Sequence, residues 1–273
     1  METLQEPTQF GLRTSDQLWM AKFGASANWQ DDPFLLDKLQ ALVVLGSQRI
    51  NDSDNELQHH EIVDAREQFF KFVGIQPTVI EALRKVSTDL TPIDTFIGTQ
   101  RVMYDLGLDA VKIINGCPSA ISYGPQSVRE KVTNLTDLGL DAIKIINGFP
   151  SAISYAPQSV REKVLNLTDL GLGAVKIINR LPSVIGLSIE SVREKVTNLT
   201  DLGLDAVKII NGCPSALGFA LESVREKVTN LTDLGLDAVK IINGFPSALG
   251  FALESVREKV TNLTDLEIGR AHV

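Results

Sequence analysis

Basic side chains recur at a fixed spacing of 32 residues through more than half of this chain. One lysine returns within the segment "KIIN", and one arginine returns within the segment "SVREKV". A regular row of cations is suited to contact the regularly spaced phosphate groups of a nucleic acid. The candidate phosphate contacts are Lys112, Lys144, Lys176, Lys208 and Lys240 in a first row, Arg129, Arg161, Arg193, Arg225 and Arg257 in a second row, and Arg180 as an additional base.

Acidic residues close to the first row offer a second interpretation. Asp109 lies three residues before Lys112, a spacing at which helical side chains can form an ion pair. In that case each lysine is neutralised locally. The rows are then solvated helix faces that bind no ligand.

Other combinations of reactive side chains predict no catalytic or metal site. Residues 51–61, "NDSDNELQHHE", have acidic residues at the spacing of a calcium loop, but the loop glycine is missing and Val63 replaces the final glutamate. His59 and His60 are adjacent, so the two imidazoles do not share a helical metal-binding face, and no cysteine lies nearby. No nucleophile, base and orienting acid occur in a recognisable arrangement. We therefore predict no enzymatic activity, no metal and no cofactor.

Tandem repeats carry the basic rows. The segment "SVREKV" begins at Ser127, Ser159, Ser191, Ser223 and Ser255, and the dipeptide "LG" opens a repeat at residues 106, 138, 170, 202 and 234. A constant period without insertions is the signature of a stacked repeat array. We therefore predict five 32-residue repeats over residues 106–266, and we number them repeats 1 to 5.

Each repeat carries the start and stop signals of two helices. In repeat 1, Asp109 is a good N-cap for a short helix A, Gly116 suits the left-handed position after that helix, and Pro118 prevents its continuation. A link follows Pro118. Pro125 stands at the first position of a longer helix B, which Gly139 ends.

Helical periodicity assigns the faces of these two helices. On helix A, alanine, valine and isoleucine residues form one apolar side, which leaves Lys112 and Asn115 on the opposite side. On helix B, Arg129 and Lys131 border an apolar stripe on opposite flanks. Each repeat therefore contributes three basic residues, and the equivalents of Lys131 form a third basic row.

Repeat 3 departs from the other four. Gly173 replaces the aspartate N-cap, and Arg180 replaces the glycine at the end of helix A. A residue other than glycine costs roughly 1 kcal/mol in a left-handed conformation. The sequence therefore predicts that the substitution Arg180→Gly stabilises the array.

The segments that flank the array complete the predicted domain organisation. Residues 73–105 read as a degenerate repeat, and residues 34–105 as a whole are predicted to form a helical N-terminal cap. Residues 1–33 are a tail. Residues 267–273, "EIGRAHV", resemble a translated sequencing adapter, so we interpret them as an artefact and the chain as a fragment. The predicted fold is all-α, a right-angled solenoid or superhelix of 32-residue two-helix repeats with this cap.

Charge, hydropathy and cysteine placement bear on location and partners. Residues 1–105 contain 16 acidic and 9 basic residues, whereas residues 106–265 contain 17 and 16, so the array is close to neutral. No apolar run reaches the roughly 18 residues of a membrane helix, and the first residues resemble no targeting signal. We predict a cytoplasmic protein that contacts no membrane. Cys117 and Cys213 lie at the same position three repeats apart and are predicted to be free thiols.

The order of short motifs in each repeat is similar to that of a known family. Each repeat has "LG", a short helix that ends in "INGCP", "INGFP" or "INRLP", then "SVREKV" and another "LG". This pattern resembles the repeat of the mitochondrial transcription termination factor family, well over residues 106–266 and faintly over 73–105. The resemblance implies a superhelix of helical repeats that holds nucleic acid along a basic path.

Two functions follow from these features. The first is binding of DNA or RNA through the basic rows. The second is a protein-binding scaffold, for example a secreted effector of a host-associated bacterium, that uses the concave face of the array as other solenoids do. A basic groove along the repeats favours the first function, and a mixed surface favours the second.

Overall fold

All secondary structure in the described part of the chain is helical, which confirms the predicted all-α class. The computed structural model describes residues 35–50, 56–86, 89–252 and 254–262. The predicted tail, residues 1–33, and the predicted artefact, residues 267–273, lie outside these ranges. None of the described helices is long and apolar enough to cross a membrane.

The described residues form two compact units. The N-terminal unit contains the described residues up to Asp137 together with Asp141–Tyr155, and the C-terminal unit contains Leu138–Leu140 and the described residues from Ala156 onward. Repeat 1 and residues 141–155 of repeat 2 thus belong to the N-terminal unit. The rest of the array belongs to the C-terminal unit.

Among the described residues of the N-terminal unit, four helices precede the repeats. They are α1 (Leu35–Gly46), α2 (Glu56–Phe72), α3 (Pro77–Val86) and α4 (Ile93–Asp105). Helix α1 packs along α2. The rings of Phe69, Phe70 and Phe96 form an aromatic cluster with centroids 4.9 to 6.4 Å apart, and all three are buried. This cluster joins α2 to α4 and forms the core of the predicted cap.

A buried arginine holds the turns of this region. The side chain of Arg66 is only 2% exposed. Its guanidinium donates hydrogen bonds to the carbonyl oxygens of Gly46 at 2.8 Å, Gln48 at 2.5 Å, Asp89 at 2.6 Å and Leu90 at 3.1 Å. Burial lowers the pKa of Arg66 below its usual value, although the nearby Asp89 carboxylate partly opposes this shift. One side chain therefore connects the end of α1 to the turn before α4.

The repeats share one order of elements. Helix A spans Ala110–Gly116, Ala142–Gly148, Ala174–Arg180, Ala206–Gly212 and Ala238–Gly244. A single 3-10 turn follows at Pro118–Ser122, Pro150–Ser154, Pro182–Gly186, Pro214–Gly218 and Pro246–Gly250. Helix B spans Pro125–Asp137, Pro157–Asp169, Ile189–Asp201 and Leu221–Asp233, and residues 254–262 are helical at the equivalent place in repeat 5. The sequence predicted a link after helix A without assigning its conformation, and the structure shows that it is a 3-10 turn.

The start of helix A and the end of helix B agree with the sequence signals. The Asp109 carboxylate accepts a hydrogen bond from the backbone N–H of Lys112 at 3.0 Å, as an N-cap does. The same bond recurs in repeats 2, 4 and 5. Helix B ends before Gly139, as predicted, and Gly139 has a φ of +75°, in the left-handed region.

The predicted role of the glycine at the end of helix A is wrong. Gly116 is the last residue of the helix, and the chain leaves the helix through Cys117, whose φ is −145°. A Cβ atom on Gly116 would lie 2.8 Å from Cγ of Pro150 in the next repeat, and one on Gly212 would lie 3.1 Å from Cγ of Pro246. At Gly116 and Gly212 glycine therefore fits a close approach of the next repeat and not a left-handed φ, whereas an added Cβ would meet no atom within 4 Å at Gly148 or Gly244.

Apolar residues of all three elements form the core of each repeat. In repeat 3, Ile177 and Ile178 of helix A, Val184 of the 3-10 turn and Val192 and Leu199 of helix B are all buried. Equivalent residues are buried in the neighbouring repeats. Because this core fixes the rotation of both helices, it also decides which side chains remain on the surface.

The two cysteines agree with their prediction. Cys117 and Cys213 are both free thiols. Each sulfur lies close to the hydroxyl of the serine two residues later, at 3.4 Å from Ser119 Oγ and 3.1 Å from Ser215 Oγ. These thiols are part of the packing around the 3-10 turn.

Candidate nucleic-acid interface

The first basic row lies on the exposed side of helix A. All five of its lysines are exposed, in the N-terminal unit (Lys112 and Lys144) and in the C-terminal unit (Lys176, Lys208 and Lys240). In the described part of the chain, no carboxylate forms an ion pair with any of their ammonium groups. The aspartate three residues earlier instead caps the backbone of its helix. The second interpretation of the sequence was that an aspartate neutralises each lysine through an ion pair. Among the described residues these ion pairs are not formed.

The second basic row lies on helix B and is also exposed in every repeat. Its surroundings differ along the array. Repeats 3 to 5 place a glutamate three residues before the arginine, as Glu190 precedes Arg193, whereas repeats 1 and 2 place a glutamine there. A glutamate also follows the arginine directly in every repeat, so repeats 3 to 5 have one carboxylate more near this row, which lowers its local positive potential there.

The third basic row is used inside the array. The ammonium groups of Lys163, Lys195 and Lys227 donate to the backbone carbonyl oxygens of Leu187, Phe219 and Phe251, which end the 3-10 turn of the next repeat. Lys227 is buried.

Partial burial affects the ionisation of the first of these lysines. It lowers the pKa of Lys163, although Glu190 partly opposes the shift. In repeat 1 the equivalent Lys131 lies over the ring of Tyr123, with its ammonium 4.7 Å from the ring centroid. The third row therefore joins or braces repeats, and its cations are less available to a ligand than those of the first two rows.

An asparagine row, which sequence reasoning placed on the outer side of helix A, joins consecutive repeats. Asn147 Oδ1 accepts a hydrogen bond from the backbone N–H of Asp109 at 2.8 Å, and its Nδ2 donates to the carbonyl oxygen of Gly107 at 3.0 Å. Asn115 makes the same pair of bonds to Gln76 at 2.9 Å and Gly74 at 3.0 Å. The position is half-exposed, and its side chain contacts the turn before helix A of the preceding repeat, a contact that the helical wheel did not predict.

The asparagine row continues in the C-terminal unit. Asn211 accepts from the backbone N–H of Gly173 at 2.7 Å, and Asn243 accepts from that of Asp205 at 2.8 Å. The signal in the sequence was the presence of asparagine at this position in all five repeats, even in repeat 3, where the neighbouring residues change. Within each compact unit, these bonds fix one helix A against its neighbour and thereby set the positions of the exposed lysines.

The backbone conformation of Arg180 differs from the left-handed one that the sequence predicted. Arg180 is the last residue of helix A and does not adopt a left-handed conformation. The side chain is exposed, and its Nη1 donates to the carbonyl oxygen of Gly212 in repeat 4 at 3.1 Å. The basis for expecting stabilisation by Arg180→Gly is therefore absent.

The corrected expectation is that Arg180→Gly destabilises the array. Glycine has a lower helix propensity than arginine, and the bond to Gly212 is lost, so we expect the free energy of unfolding to fall by about 1 kcal/mol. Thermal melts followed by circular dichroism measure this change. The variant Arg180→Lys retains the helix propensity and serves as the control. An unchanged or raised melting temperature for Arg180→Gly would contradict this account.

The histidine region shows no metal-binding geometry in the residues that the structure covers. No group of three or more histidine, cysteine, aspartate or glutamate side chains comes together within the described ranges. His59 Nε2 lies 3.1 Å from an Asp89 carboxylate oxygen. Residues 51–55 of the calcium-like segment lie outside the described ranges.

Comparisons with known proteins agree with the repeat pattern. No curated protein sequence matches the chain. The sequence model of the mTERF family matches residues 95–223 and, in a second overlapping match, residues 174–267. The two matches together cover more than half of the chain. The chain therefore belongs to the mTERF family of helical-repeat proteins, which generally bind nucleic acids.

Proposed function

We propose that this protein binds DNA or RNA through its exposed basic rows, which contact the phosphate backbone. The observation that carries the proposal is the helix A row, in which five lysines occupy equivalent exposed positions without an ion-pair partner in the described chain. Membership of the mTERF family supports it. The second row, Arg129 and its equivalents, adds cations on helix B.

A stacked arrangement of the repeats is part of this proposal. In the C-terminal unit, the helices A of repeats 3, 4 and 5 pack consecutively and are joined by Asn211 and Asn243. Helices packed in this way lie roughly 8–10 Å apart, so their lysines form a short ladder. We propose that the whole array continues this stacking as a right-angled superhelix.

The chemistry of the row favours binding that depends little on base sequence. Lysine ammonium groups contact phosphates as point charges and carry no information about the bases. The repeats are nearly identical, so they offer almost the same side chains along the array. We therefore expect strong dependence on salt and weak dependence on nucleotide sequence.

The test measures binding of mixed-sequence duplex DNA and single-stranded RNA by fluorescence anisotropy from about 50 to 200 mM salt. We expect saturable binding that weakens steeply with salt. The double substitution Lys112→Gln and Lys144→Gln is expected to lower the slope of log K against log salt by about one, since each lysine shares its helix face with an aspartate.

A charge-matched control separates the row from net charge. Lys71 and Lys85 are exposed, lie outside the rows and pair with Glu67 and Glu81. Their double substitution by glutamine is expected to leave the slope unchanged. Equal effects of the two double variants would contradict a role for the helix A row, and absence of saturable binding at about 50 mM salt would contradict the function itself.

A protein-binding scaffold is the second candidate function. Exposed apolar side chains in the C-terminal unit favour it, chiefly Phe245 at 53% and Phe251 at 46% exposure, whose ring centroids lie 5.7 Å apart. Large exposed aromatic residues often mark contacts with other proteins. This function gains support if nucleic acids do not bind and the substitution Phe251→Ser abolishes capture of a protein partner.

A further inference from the structure

Repeat 3 has a different charge from the other repeats. Counted over its 32 residues, it has a formal charge of +1, against 0 in repeats 1 and 2 and −1 in repeats 4 and 5. The difference arises on helix A. At the three positions that share its exposed face, the other repeats have aspartate, lysine and glycine, whereas repeat 3 has Gly173, Lys176 and Arg180.

The fold of repeat 3 is retained despite these changes. Its helix A still begins at Ala174, and Ile177 and Ile178 are buried as in the other repeats. The backbone N–H of Gly173 still donates to Asn211, as that of Asp205 does to Asn243. The changes therefore alter the charge of the exposed face and leave the packing in place.

The position of Arg180 adds a directional group to this face. Its Nη1 bond to the carbonyl oxygen of Gly212 places the guanidinium across the junction of repeats 3 and 4. Gly212 occupies in repeat 4 the place that Arg180 occupies in repeat 3, so the guanidinium lies beside the same face of the next helix A. The remaining N–H donors of an arginine fork can bind two oxygens of one phosphate.

We propose that repeat 3 is the principal phosphate anchor of the array, where Lys176 and Arg180 together bind a phosphodiester group of the nucleic acid. This inference rests on the proposed function. We assign most of the electrostatic binding energy to repeat 3, because Lys176 and Arg180 share the exposed face of its helix A and no aspartate lies on that face. In the other four repeats an aspartate lies on the same face as the lysine and weakens the local positive potential.

The first experiment compares two charge-matched double variants of the C-terminal unit. One is Lys176→Gln with Arg180→Gln, and the other is Lys208→Gln with Lys240→Gln. Counterion release makes a full phosphate contact worth up to about eightfold in affinity at 0.1 M salt. We expect the first variant to weaken binding of mixed-sequence duplex DNA or single-stranded RNA on the order of 50-fold, and the second by about fivefold or less.

The second experiment changes charge without weakening the fold. Gly173→Asp installs the N-cap of the other repeats, so it is expected to raise the melting temperature and yet weaken binding about fivefold. Asp205→Asn retains an N-cap acceptor and removes a negative charge from repeat 4, so it is expected to strengthen binding severalfold. Both variants are expected to remain folded, so their changes in affinity report the change in charge.

The outcomes separate this inference from the proposed function. If the unmodified chain binds neither polymer at about 50 mM salt, the proposed function fails and the anchor fails with it. If the unmodified chain binds and the two double variants lose affinity equally, the anchor alone is wrong. Arg180→Lys retains the charge and is expected to keep most of the affinity; a loss as large as that of Arg180→Gln would assign Arg180 a role other than charge.

Discussion

Replacing Arg66 by methionine is expected to lower the free energy of unfolding of the N-terminal unit by about 3–5 kcal/mol. The substitution keeps most of the side-chain volume and removes every hydrogen bond of the guanidinium. Four backbone carbonyl groups, which belong to two turns far apart in the sequence, then lose their donor. Leu90 has a φ of +57°, a left-handed conformation that is unfavourable for leucine, and the bond from Arg66 helps to hold it.

Chemical denaturation followed by far-UV circular dichroism measures this loss. Arg49→Met is the matched control, because Arg49 is 64% exposed in its side chain and pairs only loosely with Asp94 at 3.6 Å. The control is expected to change the free energy of unfolding by less than about 0.5 kcal/mol. Similar losses for the two variants would show that Arg66 does not hold the turns as described.

The substitution Asn147→Ala is expected to lower the free energy of unfolding by about 2 kcal/mol. It removes two hydrogen bonds that join repeat 2 to repeat 1 and leaves the N–H of Asp109 and the carbonyl oxygen of Gly107 without this partner. Asn147→Asp retains an acceptor for the N–H, but it replaces the Nδ2 donor by an oxygen that faces the Gly107 carbonyl. We expect this variant to be destabilised at neutral pH by a similar amount.

Asn134 provides the control for this position. It lies on helix B of repeat 1, in the same compact unit, and alanine has the higher helix propensity. Asn134→Ala is therefore expected to change stability by less than about 0.5 kcal/mol. If urea unfolding shows the two alanine variants to be equally stable, the asparagine row does not join the repeats energetically.

The asparagine substitutions and the nucleic-acid binding measurements together connect packing to function. Because the asparagine bonds fix neighbouring helices A within each compact unit, they also fix the separation of the lysines on the exposed side of that unit. A polymer with regularly spaced charges binds best to cations held at a constant separation. Loss of an asparagine bond in the C-terminal unit, as in Asn211→Ala, is therefore expected to weaken phosphate contacts, although Asn211 itself contacts no phosphate in the proposed site.

The sequence by itself determined the features that depend on neighbouring residues. Asp109 caps helix A, and its acceptor and the donor of Lys112 lie three residues apart. Helix B ends before Gly139, and the isoleucines of helix A face the core. Each of these outcomes depends on residues within one or two turns, so the order of side chains is sufficient to predict them.

The exposed rows were also predictable, because periodicity alone assigns a side to each residue. Lys112 and Arg129 are both exposed, as the helical wheel requires. The helical wheel did not predict which of these cations form bonds with other groups of the protein. Whether a lysine is paired, braced or open to a ligand depends on groups from other repeats, and these lie outside the periodicity of a single helix.

Only the tertiary structure decided which polar residues join the repeats. Asn147 binds backbone groups about 40 positions away, and Lys163 binds a carbonyl oxygen 24 positions away. Gly116 is required by a proline of the next repeat, and Arg66 binds carbonyl groups of two distant turns. Most of these contacts are made to backbone groups. Every residue except proline has the same backbone donor and acceptor, so the identity of the partner residue does not predict the contact. The contact depends on how packing brings two distant segments together.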